Sequence, residues 1–142
     1  MTKPVIVFTH GVFDLMHSNH VQALEEAAGF GDRLVVGVHA DKVVEGYKRT
    51  PVLNEEERLA QVRALACVDE AFIDHMPHTA EGMEASYQRV RPDHYVYFGD
   101  GYDDVFAPWI RRDLLRRLPY HDGISTSRII ETIRARFARG DL

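Results

Sequence analysis

Short continuous apolar runs alternate with amphipathic stretches along most of the chain. Pro4-Val5-Ile6-Val7-Phe8 and Leu34-Val35-Val36-Gly37-Val38 are apolar at successive positions. That is the pattern of strands buried on both faces of a parallel sheet. Ala71-Phe72-Ile73 and Tyr95-Val96-Tyr97-Phe98 read as two further strands, the second stopped by Gly99-Asp100-Gly101. Between them the spacing turns helical. Asn19 to Gly29 carries Val21, Leu24, Ala27 and Ala28 on one face. Asn54 with Glu57 three residues on resembles a capping box, and Leu59, Val62 and Ala66 continue that helix. Thr79 to Val90 predicts a helix ended by Pro92. A helix over Pro108–Arg117, a short strand near Leu118–Tyr120 and a last helix from about Ser125 complete the order. Alternation at this spacing predicts an α/β fold with a parallel sheet of about five strands and helices on both faces.

A chain of 142 residues suits one domain, here 1–142, and 45% apolar residues is an ordinary supply for its core. The single cysteine, Cys67, excludes an internal disulfide framework and a Cys-based zinc site. No run approaches the ~20 apolar residues of a membrane span. Met1–Pro4 leads into too short an apolar run for a signal peptide, so a cytoplasmic protein is expected. A net charge of −5 argues against general nucleic-acid binding, yet leaves room for a phosphate ligand at a local positive site. Eight histidines in such a chain is a high number.

In open parallel sheets ligands bind beyond the carboxyl ends of the strands. The polar residues of interest cluster in those segments. His10 to His20 joins a strand to a helix. Gly11 allows close backbone approach, and His17 and His20, three apart, can face one site at the helix start. A phosphate site, a pair that merely caps and packs the helix, and a zinc pair lacking further ligands all fit this spacing. Ser125-Thr126-Ser127 is either a plain N-cap or a hydroxyl cradle for phosphate. Gly46 to Val52 holds the only Lys-Arg pair, Lys48-Arg49, either a solvated loop or a phosphate-neutralising one. Gly99-Asp100-Gly101-Tyr102 is a turn in which Asp100 could also meet a ligand.

These residues carry a resemblance. Gly11-Val12-Phe13-Asp14-Leu15-Met16-His17-Ser18-Asn19-His20 resembles the G-x-F-D-x-x-H-x-G-H signature of the cytidylyltransferase-like nucleotidyltransferases. Asp122-Gly123-Ile124-Ser125-Thr126-Ser127 is similar to the family's second signature, (R-T)-E-G-I-S-T-T. Val36 to Asp41, Lys48, Pro51-Val52, Glu55 to Arg58 and Val68-Asp69-Glu70 match in order between them, so the likeness runs from about Val5 to Ile133. Glycerol-3-phosphate and ethanolamine-phosphate cytidylyltransferases are the members most similar in these motifs.

The resemblance implies a single Rossmann-like domain that transfers CMP from CTP to a small phosphorylated or phosphonate acceptor and releases pyrophosphate. The acceptor phosphate attacks the α-phosphorus directly, so no covalent enzyme intermediate is needed and catalysis is positioning and charge stabilisation. By the same resemblance, His17, His20 and Lys48 are the catalytic residues. Thr9, Gly11, Phe13, Asp14, Gly99, Asp100, Ser125, Thr126 and Ser127 shape the nucleotide site. Lys48, Arg63 and Tyr102 are the residues to consider for the acceptor. Mg²⁺ would accompany the triphosphate, no metal ligands are assigned to the protein itself, and a homodimer is expected.

Three positions depart from the pattern. Asn19 stands in place of a glycine, Tyr120 in place of the arginine before the second signature, and Ala66 in place of a frequent basic residue. Arg128 or a protonated His121 could replace the missing cation. The Asp122-Gly123 form also resembles heptose-phosphate adenylyltransferases, which makes an ATP-dependent adenylyltransferase acting on a sugar phosphate the second expectation. A nucleotide-binding module with weak turnover is the third.

Overall fold

The computed structural model describes residues 2–142. Five parallel strands form the sheet: β1 (Ile6–Gly11), β2 (Arg33–His39), β3 (Glu70–Asp74), β4 (His94–Phe98) and β5 (Leu115–Leu118). Their spatial order is β3-β2-β1-β4-β5. The chain builds outward from β1 to β3, then crosses back to place β4 on the other side of β1. The reversal between β1 and β4 is the topological switch point, where such sheets open a crevice for ligands.

The connections are α1 (Ser18–Ala28), α2 (Asp41–Glu45), α3 (Glu55–Arg63), α4 (Ala80–Val90), α5 (Ala107–Ile110) and α6 (Thr126–Arg139). Alternation along the strands sorts side chains into two cores. Val7, Leu34, Val36, Val38, Ala71 and Val96 face Leu24 and Ala27 of α1 and Leu59 and Val62 of α3. Phe8, Val35, Phe72 and Tyr95 face Met83 of α4 and Phe106 and Trp109 around α5. Trp109 stacks flat on Tyr95, with centroids 4.5 Å apart and 2° between planes. The fold is therefore the expected α/β domain, with helices on both faces.

Capping follows the sequence closely. Asn54 accepts from the Glu57 N–H (2.9 Å) while Glu57 accepts from the Asn54 N–H (3.3 Å), the reciprocal box. Thr79 and Ser125 cap α4 and α6. Two expectations are corrected. The helix expected over Pro108–Arg117 stops at Ile110, and the last strand is Leu115–Leu118 rather than Leu118–Tyr120. Asp113 adopts a left-handed φ of 57°, and the Leu114 N–H bonds back to the Trp109 carbonyl, turning the chain into the sheet. Arg116 and Arg117 are tolerated in a strand because β5 is an edge, where charged side chains are common. Helix α2, five residues long, precedes the Gly46–Val52 loop and has no counterpart in the sequence reading.

One packing element has no counterpart in the sequence reading. Arg58 is fully buried. Its guanidinium donates to the carbonyls of Leu53, Val12 and His39 and pairs with Asp41 at 2.6 Å. It thereby ties the segments leaving β1 and β2 to α3. Buried carbonyls and a buried cation satisfy one another there.

Candidate active site

A cavity of about 530 Å³ opens at the carboxyl end of β1, between α1, the loop after α2 and the start of α6. His17, His20, Lys48, Ser125, Thr126, Ser127, Gly11, Phe13 and Asp14 all line it. They come from three separate segments of the chain, Gly11–His20, Lys48 and Ser125–Ser127, which the fold brings to one place. Thr9, Arg63, Gly99, Asp100 and Tyr102 do not line it. Thr9 is buried and donates to the Val96 carbonyl (2.8 Å), bracing β1 against β4. Arg63 donates to the Ala71 carbonyl on β3. Asp100 is exposed on a loop whose flanking carbonyls, Gly99 and Gly101, accept from Arg117.

His17 is the N-cap residue of α1, with extended backbone. Its N–H donates to His20 Nδ1 (3.3 Å), and the two rings stack with centroids 3.8 Å apart. Phe13 meets His20 edge-on at 5.6 Å. Phe13 itself sits at φ 55°, an uncommon left-handed position that turns its ring under the pair. A Cβ at position 11 would lie 2.5 Å from that ring, so the close approach is what requires glycine there. Burial lowers the His17 imidazole. For His20, burial and then the neighbouring His17 outweigh the opposing charge of Asp14, bringing it down to about 4. Both rings are neutral at pH 7 in the free protein, and an arriving polyanion would favour their charged forms.

Asp14 is buried and accepts from the N–H groups of Val52 (2.8 Å) and Leu53 (2.9 Å). It thus fixes the loop that carries Lys48 and Arg49. Thr126 Oγ1 donates to the Asp14 carbonyl (2.7 Å), joining the start of α6 to the same point. Partial burial, then Arg49, lowers the Lys48 ammonium. Arg49 donates to Ser127 Oγ (3.1 Å) and so places a cation beside the first turn of α6. Tyr120, which stands where the signature has an arginine, also lines the cavity. Of the two other candidate cations, Arg128 does not line this cavity, whereas His121 does, with its Nε2 3.1 Å from Glu26.

Asn19, in place of a glycine, has a structural job. Its amide donates to the carbonyls of His121 (3.3 Å), Asp122 (3.0 Å) and Ile124 (2.8 Å), holding the loop that leads into α6. Helices α1 and α6 therefore aim their free N–H groups from two sides of one cavity, a ready anion site. Among the described residues, no three His, Cys, Asp or Glu side chains converge to hold a metal ion. The His17–His20 pair gains no third donor of those types.

A parallel five-stranded sheet with imidazoles, a lysine and two helix starts at its switch point defines a class of phosphate-handling α/β domain. The comparisons give the class its family. The cytidylyltransferase-like family model matches residues 8–132, and the chain belongs to that family. A Bifunctional protein HldE from Photobacterium profundum is 38% identical over 138 residues, covering 91% of this chain and 28% of that protein. An ethanolamine-phosphate cytidylyltransferase from Dictyostelium discoideum is 36% identical over 133 residues, covering 90% of this chain and 36% of that protein. The chain thus spans roughly a third or less of the length of these two relatives. Among solved structures, a lipopolysaccharide core biosynthesis protein from Thermoplasma volcanium matches with a TM-score of 0.72 and 28% identity, over 84% of this chain and 100% of that one. No helix among the described residues is long and apolar enough to cross a membrane.

Proposed function

We propose that this chain is a nucleotidyltransferase that moves CMP from CTP to a small phosphorylated or phosphonate acceptor, with release of pyrophosphate. The observation that carries this reading is the convergence of His17, His20, Lys48 and the start of α6 on one cavity. An oxygen of the acceptor phosphate forms the new bond to the α-phosphorus. The bond from the α-phosphorus to the bridging oxygen breaks, and the electron pair leaves with pyrophosphate. The nucleophile is already an anion, so no protein group need be acylated or phosphorylated.

His17 and His20 then donate hydrogen bonds to the α-phosphate and the leaving oxygen as charge builds there. Lys48 lies between the α-phosphate and the acceptor and offsets their mutual repulsion. Ser125, Thr126, Ser127 and the free N–H groups of α6 take the β- and γ-phosphates, with Arg49 beside them. Mg²⁺ fits such a site as a companion of the substrate: the cavity wall offers imidazoles, hydroxyls and cations rather than a carboxylate cage, so triphosphate oxygens and water would hold it. When bound, it neutralises triphosphate charge. A homodimer is part of the proposal. Ile133 and Phe137 of α6, 48% and 74% exposed, are apolar surface that a second copy would cover.

A second reading, transfer of AMP from ATP to a sugar phosphate, is favoured by one observation, the Asp122-Gly123 form of the second signature. Pyrophosphate release with Mg²⁺, each triphosphate and a panel of phosphorylated alcohols, amines, sugars and phosphonates separates the readings. Turnover with CTP supports the first, and turnover restricted to ATP supports the second. Nucleotide binding without turnover against any acceptor would sink both.

A further inference from the structure

A second group of side chains lies beside the cavity at the carboxyl ends of β2, β3 and β4. His10, at the end of β1, uses both ring nitrogens: Nδ1 meets the Tyr95 hydroxyl at 3.1 Å, and Nε2 bonds to Asp74 and approaches Ser86 Oγ at 3.3 Å. His39 stacks on His10, centroids 5.0 Å apart and 8° between planes. It is 3% exposed, yet its Nδ1 is buried with no hydrogen-bond partner among the described residues. His78, in the loop after β3, meets His39 edge-on at 6.0 Å, and its Nδ1 is buried and unpartnered too. Tyr47 stacks on His78 at 4.5 Å, and Tyr102 meets it edge-on at 5.2 Å.

Buried polar atoms are seldom left without a partner, because each costs its full desolvation. Two such nitrogens, one at the end of β2 and one in the loop after β3, on rings that meet edge-on at the ligand-binding edge of the sheet, point to a ligand that supplies the partners. The position says which ligand. Lys48 follows Tyr47 directly, lines the main cavity, and bears electrostatically on both His39 and His78. The group therefore adjoins the cavity at its lysine, beside the place where the acceptor would meet Lys48.

Its chemistry restricts that part. Burial, together with His10 and Lys48, lowers both imidazoles, so each is neutral at pH 7. The carboxylate bearing on His39 is Asp74, already occupied by His10, Ser86 and the Met76 N–H. An ammonium placed here would face Lys48, while the carboxylate that bears on His39 is already engaged. A hydroxyl can donate to a bare imidazole nitrogen or accept from a protonated one, whichever tautomer is present. The rings of Tyr47 and Tyr102 offer apolar faces to a carbon chain carrying such hydroxyls.

We propose, resting on the nucleotidyltransferase reading above, that His39 and His78 are specificity-determining residues that select a neutral, hydroxylated phosphate acceptor over an aminoalkyl one. The test compares glycerol 3-phosphate and a hexose 1-phosphate with ethanolamine phosphate and aminoethylphosphonate, in the wild type and in His78→Phe. That substitution keeps the stack on Tyr47 and spares the buried His39. The wild type should favour a hydroxylated acceptor by about tenfold or more in kcat/KM. His78→Phe should raise KM for that acceptor about tenfold, with KM for the triphosphate unmoved. An aminoalkyl acceptor used equally well or better, or an unchanged acceptor KM in His78→Phe, overturns the proposal. Absence of pyrophosphate release with every triphosphate and acceptor would defeat the nucleotidyltransferase reading instead. Titration calorimetry of the hydroxylated phosphates then still decides: binding weakened in His78→Phe supports the assignment, and binding absent or unweakened removes it.

Discussion

The imidazoles of His17 and His20 stack 3.8 Å apart, and the His17 N–H donates to His20 Nδ1. The backbone of His17 thus orients the His20 ring, and both side chains stand at the start of α1 where its free N–H groups converge. Replacing either by alanine should lower kcat about a hundredfold or more with the fold preserved, as for loss of a donor to developing charge. The double variant should lose little beyond the worse single one, because the two rings act as a unit. Steady-state rates with circular dichroism as the fold control check this, and full activity in either variant removes that histidine from the mechanism.

Lys48 depends on Asp14, which grips the Val52 and Leu53 N–H groups at the far end of the lysine's loop. Lys48→Ala should reduce turnover and raise KM for the acceptor. Asp14→Ala should weaken the same two quantities through the loop. An unchanged rate in Lys48→Ala would show that the loop is not at the reacting phosphates.

Asn19 holds the carbonyls of His121, Asp122 and Ile124, so a glycine there would release that loop. Asn19→Gly should loosen the approach to α6 and raise KM for the triphosphate several-fold, with a smaller effect on the acceptor. A lower triphosphate KM in this variant would mean that the asparagine obstructs the site instead of building it.

His20 is brought down to about 4 from the ordinary 6.5 of an imidazole, chiefly by burial, and burial is also the first cause that holds His39 well below the ordinary range. As pH falls from about 6.5 towards 4, the unfolded chain binds protons that the native one does not. Stability should therefore be complete above pH 6.5 and decline through that window. Urea unfolding at several pH values measures it. His20→Gln should flatten the slope, and an identical slope in the variant would assign the acid sensitivity elsewhere.

Arg58 is the fully buried cation that binds the carbonyls of Leu53, Val12 and His39 and pairs with Asp41. Arg58→Met leaves those acceptors unpaired and should cost roughly 3–5 kcal/mol, read from denaturant unfolding. A loss below about 1 kcal/mol would mean that water replaces the guanidinium readily.

The strands of this fold are legible because a sheet covered on both faces writes continuous apolar runs, as at Val5–Phe8 and Leu34–Val38. The edge strand Leu115–Leu118 is not, because two of its four residues are arginines and Pro108-Trp109 just before it imitate a longer helix. The cavity was legible in part. His17 and His20 share one helix start, and Ser125 to Ser127 another, so local spacing reveals them. Arg49 as the partner of Ser127, Arg58 as a buried tie, and the edge-on rings of His39 and His78 arise from contacts 78, 46 and 39 residues or so apart. No local pattern records such distances. Thr9 and Asp14 show the converse: one stands beside the signature and one within it, and both spend their side-chain oxygens on backbone groups of the fold.

The most direct measurement follows the α-phosphorus itself. CTP labelled at the α-phosphate is incubated with Mg²⁺, the protein and a phosphorylated acceptor, and the products are resolved. The account predicts that the label passes to the acceptor as a CMP conjugate, with one pyrophosphate released per conjugate, and that His17→Ala and His20→Ala lose the product together. It is contradicted if no labelled conjugate forms with any acceptor, or if the conjugate forms undiminished when both histidines are gone.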